Sequence, residues 1–268
     1  MTPVSDPADP RLDDYRNLRD PAARVAFESV AGCFVAEGVT VVRRLFGSGL
    51  YVRSALVLAG KEGRITDVLP VDVPLLVVDR EVMRSVAGFD VHRGVLACAD
   101  RPTPPGVADL AAGATTLAVL EGLNDHENLG AIARSARALG VDGLVVDPTS
   151  ADPWYRRVVR VSMGEIMYLP LARAVTWPGD LDALRHAGFT LAALTPSSGA
   201  TPLAEFAARR PAKIALLLGA EGPGLSRAAL DAADVHVRIP IHPDVDSLNV
   251  GHAAAIAFAA LATISMRR

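Results

Sequence analysis

The sequence predicts an α/β protein whose second part is built on a parallel β-sheet. After residue 115, apolar segments typical of buried strands alternate with segments typical of helices. A proline-rich break at residues 101–106, RPTPPG, separates this part from a smaller region with its own alternation of strands and helices. The 268 residues suffice for about two domains, and a hydrophobic share of 50% is ordinary for a folded protein.

We divide the chain into an arm (1–25), a small α/β domain (26–105), a linker (106–114) and a larger domain (115–268). The arm is expected to be loosely held, because it is acidic and contains several prolines. The larger domain is expected to fold without the segments before it. In the small domain, we predict strands at residues 33–36, 51–58, 75–78 and 95–99, and helices at 39–46 and 80–87.

In the larger domain, the predicted strands alternate with predicted helices along the whole segment. The strands are predicted at residues 116–120, 143–146, 189–194, 214–218 and 235–239. The helices are predicted at residues 129–139, 181–186, 204–209, 227–232 and 250–264. Ligands of parallel sheets bind beyond the carboxyl ends of the strands, so the loops after residues 120, 194, 218 and 239 are the expected positions of a site.

Several classes of protein are disfavoured. Cys33 and Cys98 are the only cysteines, which excludes a disulfide framework and a four-cysteine zinc site. The six histidines lack metal-ligand spacing, and we predict no metal. The motifs GxGxxG, GxxxxGK[ST], HExxH and GxSxG are absent, which disfavours dehydrogenases, P-loop enzymes, zinc hydrolases and serine hydrolases. No leader or membrane span is evident, so we expect a cytoplasmic protein.

The first informative segment, residues 124–134, follows a predicted strand and opens a predicted helix. Asn128 is expected at or near the N-cap, a position that Asn fills well in any helix. The apolar spacing of this helix leaves Arg134 and Arg137 on an exposed face. They are either ordinary solvated residues or a pair that binds a phosphate group.

Two further segments combine a strand end with a polar loop. Residues 217–226 carry three glycines, which allow a close backbone approach to a ligand, together with Glu221. Residues 239–250 run through prolines to Ser247 and Asn249, which precede an apolar helix. N-capping explains Ser247 and Asn249 as well as a functional role does. Three polar loops beyond strand ends are nevertheless expected to enclose one pocket.

Taken together, these segments resemble a known family. NLGAIARSARALG, LLLGAEGPGLS and IPIHPDVDSLNVGHAAAI, in this order, resemble the three motifs of the SpoU (TrmH-like) RNA 2′-O-ribose methyltransferases of the SPOUT superfamily. The segment DPWYRRVVRVSMGEIMYLP is also similar to that family. CFVAEG and HRGV resemble the substrate-binding domain, a ribosomal-protein-like RNA-binding fold, that precedes the catalytic domain in many members. One departure is Gly251-His252 after the third motif.

The resemblance implies a parallel-sheet SPOUT domain with a deep trefoil knot, the cofactor S-adenosylmethionine, no metal, and a homodimer with the active site at the subunit interface. By motif position, it implies that the catalytic residues are Asn128, Arg134, Glu221, Ser247 and Asn249. It implies that the methyl donor is held by Leu194, Thr195, Leu218, Gly219, Ala220, Glu221, Gly222, Ile239, Ile241 and Leu248.

The expected substrate is RNA, because a 2′-hydroxyl is the methyl acceptor. The accessory domain favours ribosomal RNA, with transfer RNA as the alternative. A non-catalytic RNA-binding protein that retains the fold, or a small-molecule enzyme, remains a further alternative. The best local cluster for phosphate groups is Tyr155, Arg156, Arg157 and Arg160, with Trp154 available for stacking on a base or for packing.

Overall fold

The computed structural model describes residues 1–262 of the chain. They form two compact units. The first unit comprises Met1–Thr103 and Asp152–Met167, and the second comprises Pro104–Ala151 and the residues from Tyr168 onward. The first division falls between Thr103 and Pro104, inside the proline-rich break. Two further crossings, after residues 151 and 167, return the chain to the first unit for one short segment.

The first unit begins with a mixed five-stranded sheet and three helices. Its strands are β1 (Thr2–Pro3), β2 (Cys33–Glu37), β3 (Val52–Leu58), β4 (Leu75–Val78) and β5 (Val95–Asp100), and its helices are α1 (Pro21–Ala31), α2 (Val39–Phe46) and α3 (Arg80–Ala87). The strand order is β1-β4-β3-β5-β2, in which β5 runs antiparallel to both of its neighbours. Short 3₁₀ helices span Pro10–Tyr15 and Glu62–Arg64.

The prediction of a loosely held arm at residues 1–25 is wrong. Leu12, Tyr15 and Leu18 recur every third residue and are fully buried in the core of the first unit. The Tyr15 hydroxyl donates to the Ser54 carbonyl oxygen at 2.9 Å, and β1 pairs with β4. The prediction relied on the acidic, proline-rich composition and overlooked this short apolar pattern. The pattern is enough to pack residues 12–18 against the sheet.

The second unit holds seven strands and six helices. The strands are β6 (Thr116–Glu121), β7 (Gly143–Val146), β8 (Leu171–Arg173), β9 (Thr190–Leu194), β10 (Thr201–Pro202), β11 (Ile214–Gly219) and β12 (Val235–Arg238). The helices are α4 (Val107–Ala112), α5 (His126–Ala138), α7 (Leu181–His186), α8 (Leu203–Ala208), α9 (Arg227–Ala232) and α10 (Val250–Leu261). Helix α6 (Arg156–Val161) belongs to the first unit.

All strand pairs of the second sheet are parallel, in the order β10-β12-β9-β11-β6-β7-β8, which confirms the predicted parallel sheet. The central strands β6 and β11 consist almost entirely of buried apolar residues, as expected when helices cover both faces of a sheet. The carboxyl ends of β9, β11 and β12 lie side by side. The loops that follow these strands are therefore brought together at one edge.

The predicted linker 106–114 is not a linker, because residues 107–112 form α4. Val107, Leu110 and Ala111 follow helical spacing and are buried in the core of the second unit. The break is confined to the prolines before this helix, since their fixed backbone and missing N–H groups do not continue a helix or a strand.

The predicted larger domain at 115–268 is also interrupted, because residues 152–167 pack in the first unit. Trp154 is 9% exposed, and its ring centroid lies 5.0 Å from that of Phe34. Val158 and Val159 of α6 are fully buried, and Arg156 forms an ion pair with Glu37. Removal of residues 1–103 would expose these apolar side chains, so the second part of the chain is not expected to fold cleanly without them.

Most predicted elements match the structure to within one or two residues at each end. Helix α5 begins three residues earlier than predicted, and β1, β8, β10, α1, α4 and α6 were not predicted. The final helix ends at Leu261, and the predicted extension to residue 264 lies outside the described residues. No helix within residues 1–262 has the length and apolarity needed to span a membrane.

Candidate active site in the second unit

A cavity of about 430 Å³ opens where the loops after β9, β11 and β12 meet. Its walls are backbone from the glycine-rich loop after β11 and apolar side chains from the other loops. This is the edge at which parallel sheets bind ligands. The combination of mostly apolar walls with a few polar groups is typical of small-molecule sites.

The glycines after β11 are required by the way the loop folds back on itself. A Cβ atom on Gly219 would lie 2.2 Å from the Leu225 nitrogen, so no larger residue fits there. Gly222 and Gly224 have φ values of +85° and +70°, which other residues rarely adopt. The loop is closed by a hydrogen bond from the Gly224 nitrogen to the Ala220 oxygen at 3.0 Å.

Every residue predicted to hold the methyl donor lies on the wall of this one cavity. These are Leu194, Thr195, Leu218, Gly219, Ala220, Glu221, Gly222, Ile239, Ile241 and Leu248. Ser247 and Asn249 line the same cavity. The role of the ten residues in donor binding remains a prediction, but three separate segments of the chain contribute to this single wall.

Three residues predicted to be catalytic are joined by one side chain. The Asn249 amide group donates to Asn128 Oδ1 at 2.9 Å and to Glu221 Oε1 at 2.6 Å. The Asn249 Oδ1 atom accepts a hydrogen bond from the His252 backbone nitrogen at 3.2 Å and caps α10. Capping and bridging therefore occur together, because the two ends of one amide serve different partners.

Asn128 lies near the N-cap of its helix, as predicted, but it does not fill the cap position. Asp125 is the N-cap of α5, and Asn128 lies three residues into the helix, where it is 7% exposed. The Asp125 carboxylate accepts from the Glu127 backbone nitrogen at 2.6 Å. With the cap filled by Asp125, the Asn128 side chain is left to meet Asn249.

Gly251, part of the departure from the family pattern, lies where α10 packs against Ala131 and Asn128 of α5. A Cβ atom on Gly251 would be 3.2 Å from Asn249 Oδ1 and 3.4 Å from the Ala131 Cβ atom. The absence of a side chain therefore gives room for the Asn128–Asn249 hydrogen bond. His252 is exposed and does not line the cavity.

Arg134 is exposed on α5, as predicted, while Leu129, Ile132 and Ala133 fill the buried face of that helix. Within residues 1–262, the Arg134 guanidinium makes no ion pair or hydrogen bond. It does not line the cavity of its own chain. Of the five residues predicted to be catalytic, Arg134 is thus the one that the fold leaves apart from the other four.

Two buried carboxylates at the same edge of the sheet were not predicted. Glu121, at the end of β6, is 8% exposed. Asp147, just after β7, accepts hydrogen bonds from Ser150 and from the Gly122 backbone nitrogen at 3.0 Å. Burial raises the pKa of Asp147, but hydrogen bonds from Ser150, Thr149 and the backbone outweigh it, so the pKa lies below its usual value. Their positions directly after apolar strands were the available signal.

The structure contradicts part of the predicted phosphate cluster at residues 155–160 and favours the packing alternative for Trp154. Trp154 and Tyr155 are buried and cannot stack on a base. Arg156 is 12% exposed, pairs with Glu37 and lies over the Phe89 ring at 4.8 Å. These side chains anchor the segment in the first unit. Arg157 and Arg160 are exposed, and Arg160, whose side chain is 49% exposed, also pairs with Glu37 at 3.5 Å.

One group of side chains in the first unit brings three potential metal ligands together. One ligand atom each from Asp14, Cys33 and Cys98 lies within 4.8 Å of the others. Both cysteines are fully buried. A hydrogen bond from Cys98 lowers the pKa of Cys33, and the same contact with burial raises that of Cys98. Cys33 is thus the more readily ionised of the two thiols, and none of these residues belongs to the cavity of the second unit.

A glycine-lined cavity at the carboxyl edge of a parallel sheet, with polar residues beside it, is typical of enzymes that bind a small-molecule cofactor. The model of the SpoU rRNA methylase family matches residues 115–259, and the chain belongs to this family of RNA methyltransferases. The chain is 48% identical over 260 residues to an uncharacterized tRNA/rRNA methyltransferase of Mycobacterium tuberculosis, which covers 95% of this chain and 89% of the relative. Enzymes of the family use S-adenosylmethionine.

Solved structures share the whole fold. A crystal structure of an RNA 2′-O ribose methyltransferase has a TM-score of 0.76 and 27% identity, covering 97% of this chain and 98% of that one. The AdoMet-bound rRNA methyltransferase of Sinorhizobium meliloti has a TM-score of 0.82 at 23% identity, covering 97% of both chains. The AdoMet complex of the SpoU methyltransferase AviRb from Streptomyces viridochromogenes has a TM-score of 0.80 at 24% identity, covering 94% and 97%. The last two similarities show the fold alone.

Proposed function

We propose that this chain transfers a methyl group from S-adenosylmethionine to a ribose 2′-hydroxyl, and that the acceptor is ribosomal RNA. The observation that carries the proposal is the convergence of Asn128, Glu221 and Asn249, from three different motifs, beside the glycine-lined cavity. Similarity to an RNA 2′-O ribose methyltransferase supports the ribose as the acceptor. Transfer RNA is the alternative, because the Mycobacterium relative is named for both kinds of RNA.

The cavity suits the methyl donor in size and chemistry. Its volume of about 430 Å³ is in the range that encloses a small cofactor. Leu194, Leu218 and Ile239 offer apolar walls for an adenine ring, and the backbone of the loop after β11 offers amide and carbonyl groups. The ten residues named above would hold the donor, which supplies a methyl group on a positively charged sulfur. The deep trefoil knot that the resemblance implies belongs to the same proposal.

The residues beside the cavity would prepare the ribose hydroxyl, which is a weak nucleophile at neutral pH. Asn249 fixes one Glu221 oxygen by a hydrogen bond of 2.6 Å and leaves the other carboxylate oxygen available to accept from the hydroxyl. Ser247 lies on the same wall and can orient the ribose. Alignment of the hydroxyl oxygen with the methyl group would supply much of the rate.

Arg134 would bind the phosphate next to the target ribose and stabilise the charge that develops on its oxygen. A guanidinium stays protonated, so this role suits it better than removal of a proton. Arg134 does not line the cavity of its own chain, and we propose that it serves the cavity of a second copy in a homodimer. The exposed stripe of Ile256, Ala259 and Ala260 on α10 supports such a dimer, since 44% of Ile256 is exposed to solvent.

The RNA would also contact the first unit at an arginine-lined concavity of about 510 Å³. Arg43, Arg64 and Arg93 line it beside the start of α2. Arg43 is paired with Asp67, whereas Arg64 and Arg93 are exposed and donate no side-chain hydrogen bonds within residues 1–262. Arginine forks of this kind bind phosphate oxygens. This surface replaces the cluster at residues 155–160 as the expected RNA contact.

The proposal is tested by mapping 2′-O-methyl groups in total RNA from cells with and without the gene. The expected result is one ribosomal position that loses its methyl group and regains it when purified protein and S-adenosylmethionine are added. Loss at a transfer RNA position would favour the alternative substrate. Tight RNA binding without methyl transfer would indicate a non-catalytic RNA-binding protein, and no RNA affinity would indicate a small-molecule enzyme.

A further inference from the structure

Glu121 is a buried carboxylate that joins two loops at the carboxyl edge of the second sheet. It is the last residue of β6 and lies in register beside Gly219 of β11. One carboxylate oxygen accepts from the Trp177 indole nitrogen at 2.5 Å, and the other accepts from the Ser226 backbone nitrogen at 2.8 Å. Within residues 1–262, Glu121 forms no ion pair.

The bond to Ser226 completes a helix cap from a distant strand. Ser226 is the N-cap of α9, and its hydroxyl oxygen accepts from the Ala229 nitrogen at 3.1 Å. In an ordinary capping box, an acidic residue at the third helical position would accept from the N–H group of the cap. Here that position is Ala229, which has no acceptor, and Glu121 takes its place.

This arrangement closes both ends of the glycine-rich loop that lines the cavity. The start of the loop, Gly219, lies beside Glu121 in the sheet, and its end, Ser226, is hydrogen-bonded to the Glu121 carboxylate. A Cβ atom on Gly219 would lie 2.2 Å from the Gly224 carbonyl carbon, so the two ends of the loop are close together and a shift of Ser226 is expected to move the cavity wall. Glu121 itself does not line the cavity.

The bond to Trp177 ties a second loop to the same carboxylate. The Asp180 side chain organises this loop by accepting from the Val175 and Thr176 nitrogens at 2.6 and 2.8 Å. The Trp177 ring packs on the core of the second unit. Glu121 accepts from only two N–H groups. A carboxylate that is buried without a neighbouring cation is costly, and two hydrogen bonds compensate this cost only in part. A neutral side chain of similar shape would be less costly if packing were its only task.

We propose that Glu121 is a positioning residue for the methyl donor, setting the conformation of the loop at residues 219–226 through Ser226, with Trp177 fixing the carboxylate. This inference rests on the proposed binding of S-adenosylmethionine in the cavity. It adds a residue from outside the three loops that form the cavity wall, and it assigns to Trp177 the task of holding Glu121 in place.

The experiment measures the dissociation constant of S-adenosylmethionine by calorimetry for the full-length protein and four variants. Glu121→Gln places an amide NH₂ group opposite one of the two N–H donors, and donor binding should weaken about 10-fold or more. Trp177→Phe removes the indole donor but leaves the Ser226 bond, so binding should weaken less. In the double variant, the new amide oxygen can accept from the Ser226 nitrogen, and its NH₂ group no longer faces the indole N–H group. The double variant should therefore bind S-adenosylmethionine as tightly as Trp177→Phe alone.

Asp142→Asn is the matched control. The Asp142 carboxylate accepts from the Thr115 and Thr116 nitrogens at 2.8 and 2.9 Å, at the opposite end of β6. Its loss should lower the melting temperature without changing donor affinity. If Glu121→Gln leaves donor affinity unchanged, or if the two single changes add in the double variant, the inference is overturned.

Amide hydrogen exchange without donor separates this inference from the proposed function. In Glu121→Gln, exchange should accelerate at residues 219–226 and not in the Asp142→Asn control. Wild-type protein that binds no S-adenosylmethionine would overturn the proposed function, while the exchange pattern would still report on Glu121. Unchanged exchange in Glu121→Gln would overturn the positioning role even if the wild-type protein binds the donor.

Discussion

The two units bury polar side chains in different ways. In the first unit, Arg24 and Glu28 are 2% and 0% exposed and form an ion pair at 2.7 Å. In the second unit, Glu121, Asn128 and Asp147 are buried, and all three follow the carboxyl ends of β6 and β7. The first set lies within the body of its unit, whereas the second set gathers at the edge that carries the cavity.

The difference separates two uses of buried polarity. Glu28 also pairs with Arg101, and Arg101 pairs with Asp152, so this network joins α1, the end of β5 and the segment at residues 152–167. It fixes three pieces of chain within one unit. In the second unit, Glu121 instead holds the end of the loop that lines the cavity, and Asn128 accepts a hydrogen bond from Asn249 on the cavity wall. Buried polar side chains therefore connect segments of the chain in the first unit and lie beside the candidate active site in the second.

The largest expected effect is on the stability of the first unit. Glu28→Ala leaves the buried Arg24 guanidinium without its carboxylate, and removal of one partner of a buried ion pair typically costs about 3–5 kcal/mol. We expect a loss of this size in chemical denaturation, with donor affinity unchanged in the folded protein. A variant as stable as the wild type would contradict the structural role of this ion pair. The control is Glu127→Ala, which removes an exposed carboxylate at the start of α5.

The next effect is on turnover rather than stability. Arg134→Ala should change stability by no more than about 0.5 kcal/mol, since Arg134 is exposed. It should lower single-turnover methyl transfer by roughly 100-fold or more, the scale on which a transition-state charge stabiliser acts. Arg134→Lys should restore only part of the rate, because one ammonium group lacks the planar fork.

Arg137→Ala serves as the matched control for Arg134, because Arg137 is also exposed on α5. Near-normal turnover in Arg134→Ala, or equal losses in both variants, would contradict the assigned role. Mixing Arg134→Ala with a donor-loop variant such as Gly219→Ala would test whether Arg134 serves the cavity of a second copy. Recovery of activity in mixed dimers is the expected result.

A smaller effect distinguishes the two tasks of Asn249. Asn249→Asp and Asn249→Ser both keep an N-cap acceptor for α10, so stability should change little. Both lose the amide donor to Asn128 and Glu221, and methyl transfer should fall about 10-fold or more. Thermal melting and single-turnover rates measure the two tasks separately. A melting temperature that falls in step with the rate would show that the bonds to Asn128 and Glu221 stabilise the fold, and would contradict the separation of the two tasks.

The smallest effect is on the dependence of stability on pH. The pKa of Asp147 is lower in the folded protein than the usual value of about 3.9, so the folded state favours the charged carboxylate. Its stabilising contribution is present above the unfolded pKa and is lost as the pH falls through the folded pKa. The difference in unfolding free energy between wild type and Asp147→Asn should be constant near neutral pH and narrow below about pH 4. A difference that grows in acid would contradict this sign.

The strands and helices of the second unit were largely predictable, because a parallel sheet covered on both faces leaves apolar segments of clear length. The helices at Leu181–His186 and Arg227–Ala232 match their predicted bounds. Elements with weak patterns were not found. The segment at residues 10–18 has only three apolar anchors, and α6 is short and rich in arginine. The contacts of Arg156 with Glu37 and Phe89 could not be predicted, because both partners are distant in the sequence.

The residues of the site were identified by their motifs, but their arrangement was not. That Asn249 bridges Asn128 and Glu221 depends on the close approach of two helices at Gly251, which no local pattern expresses. The contribution of Glu121 was missed for a similar reason. Its partners, Trp177 and Ser226, are more than 50 residues away along the chain.

The three crossings of the chain between the units bear on the order in which the protein can fold during synthesis. Domains generally fold as units, starting with the part that leaves the ribosome first. The first unit, however, is not complete when residue 103 has emerged, because Trp154 and α6 belong to its packed interior. Translation must pass through β6, α5 and β7 before these residues appear. The nascent first unit therefore has an unfilled apolar surface beside Phe34 until β6 and β7 of the second sheet have been synthesised.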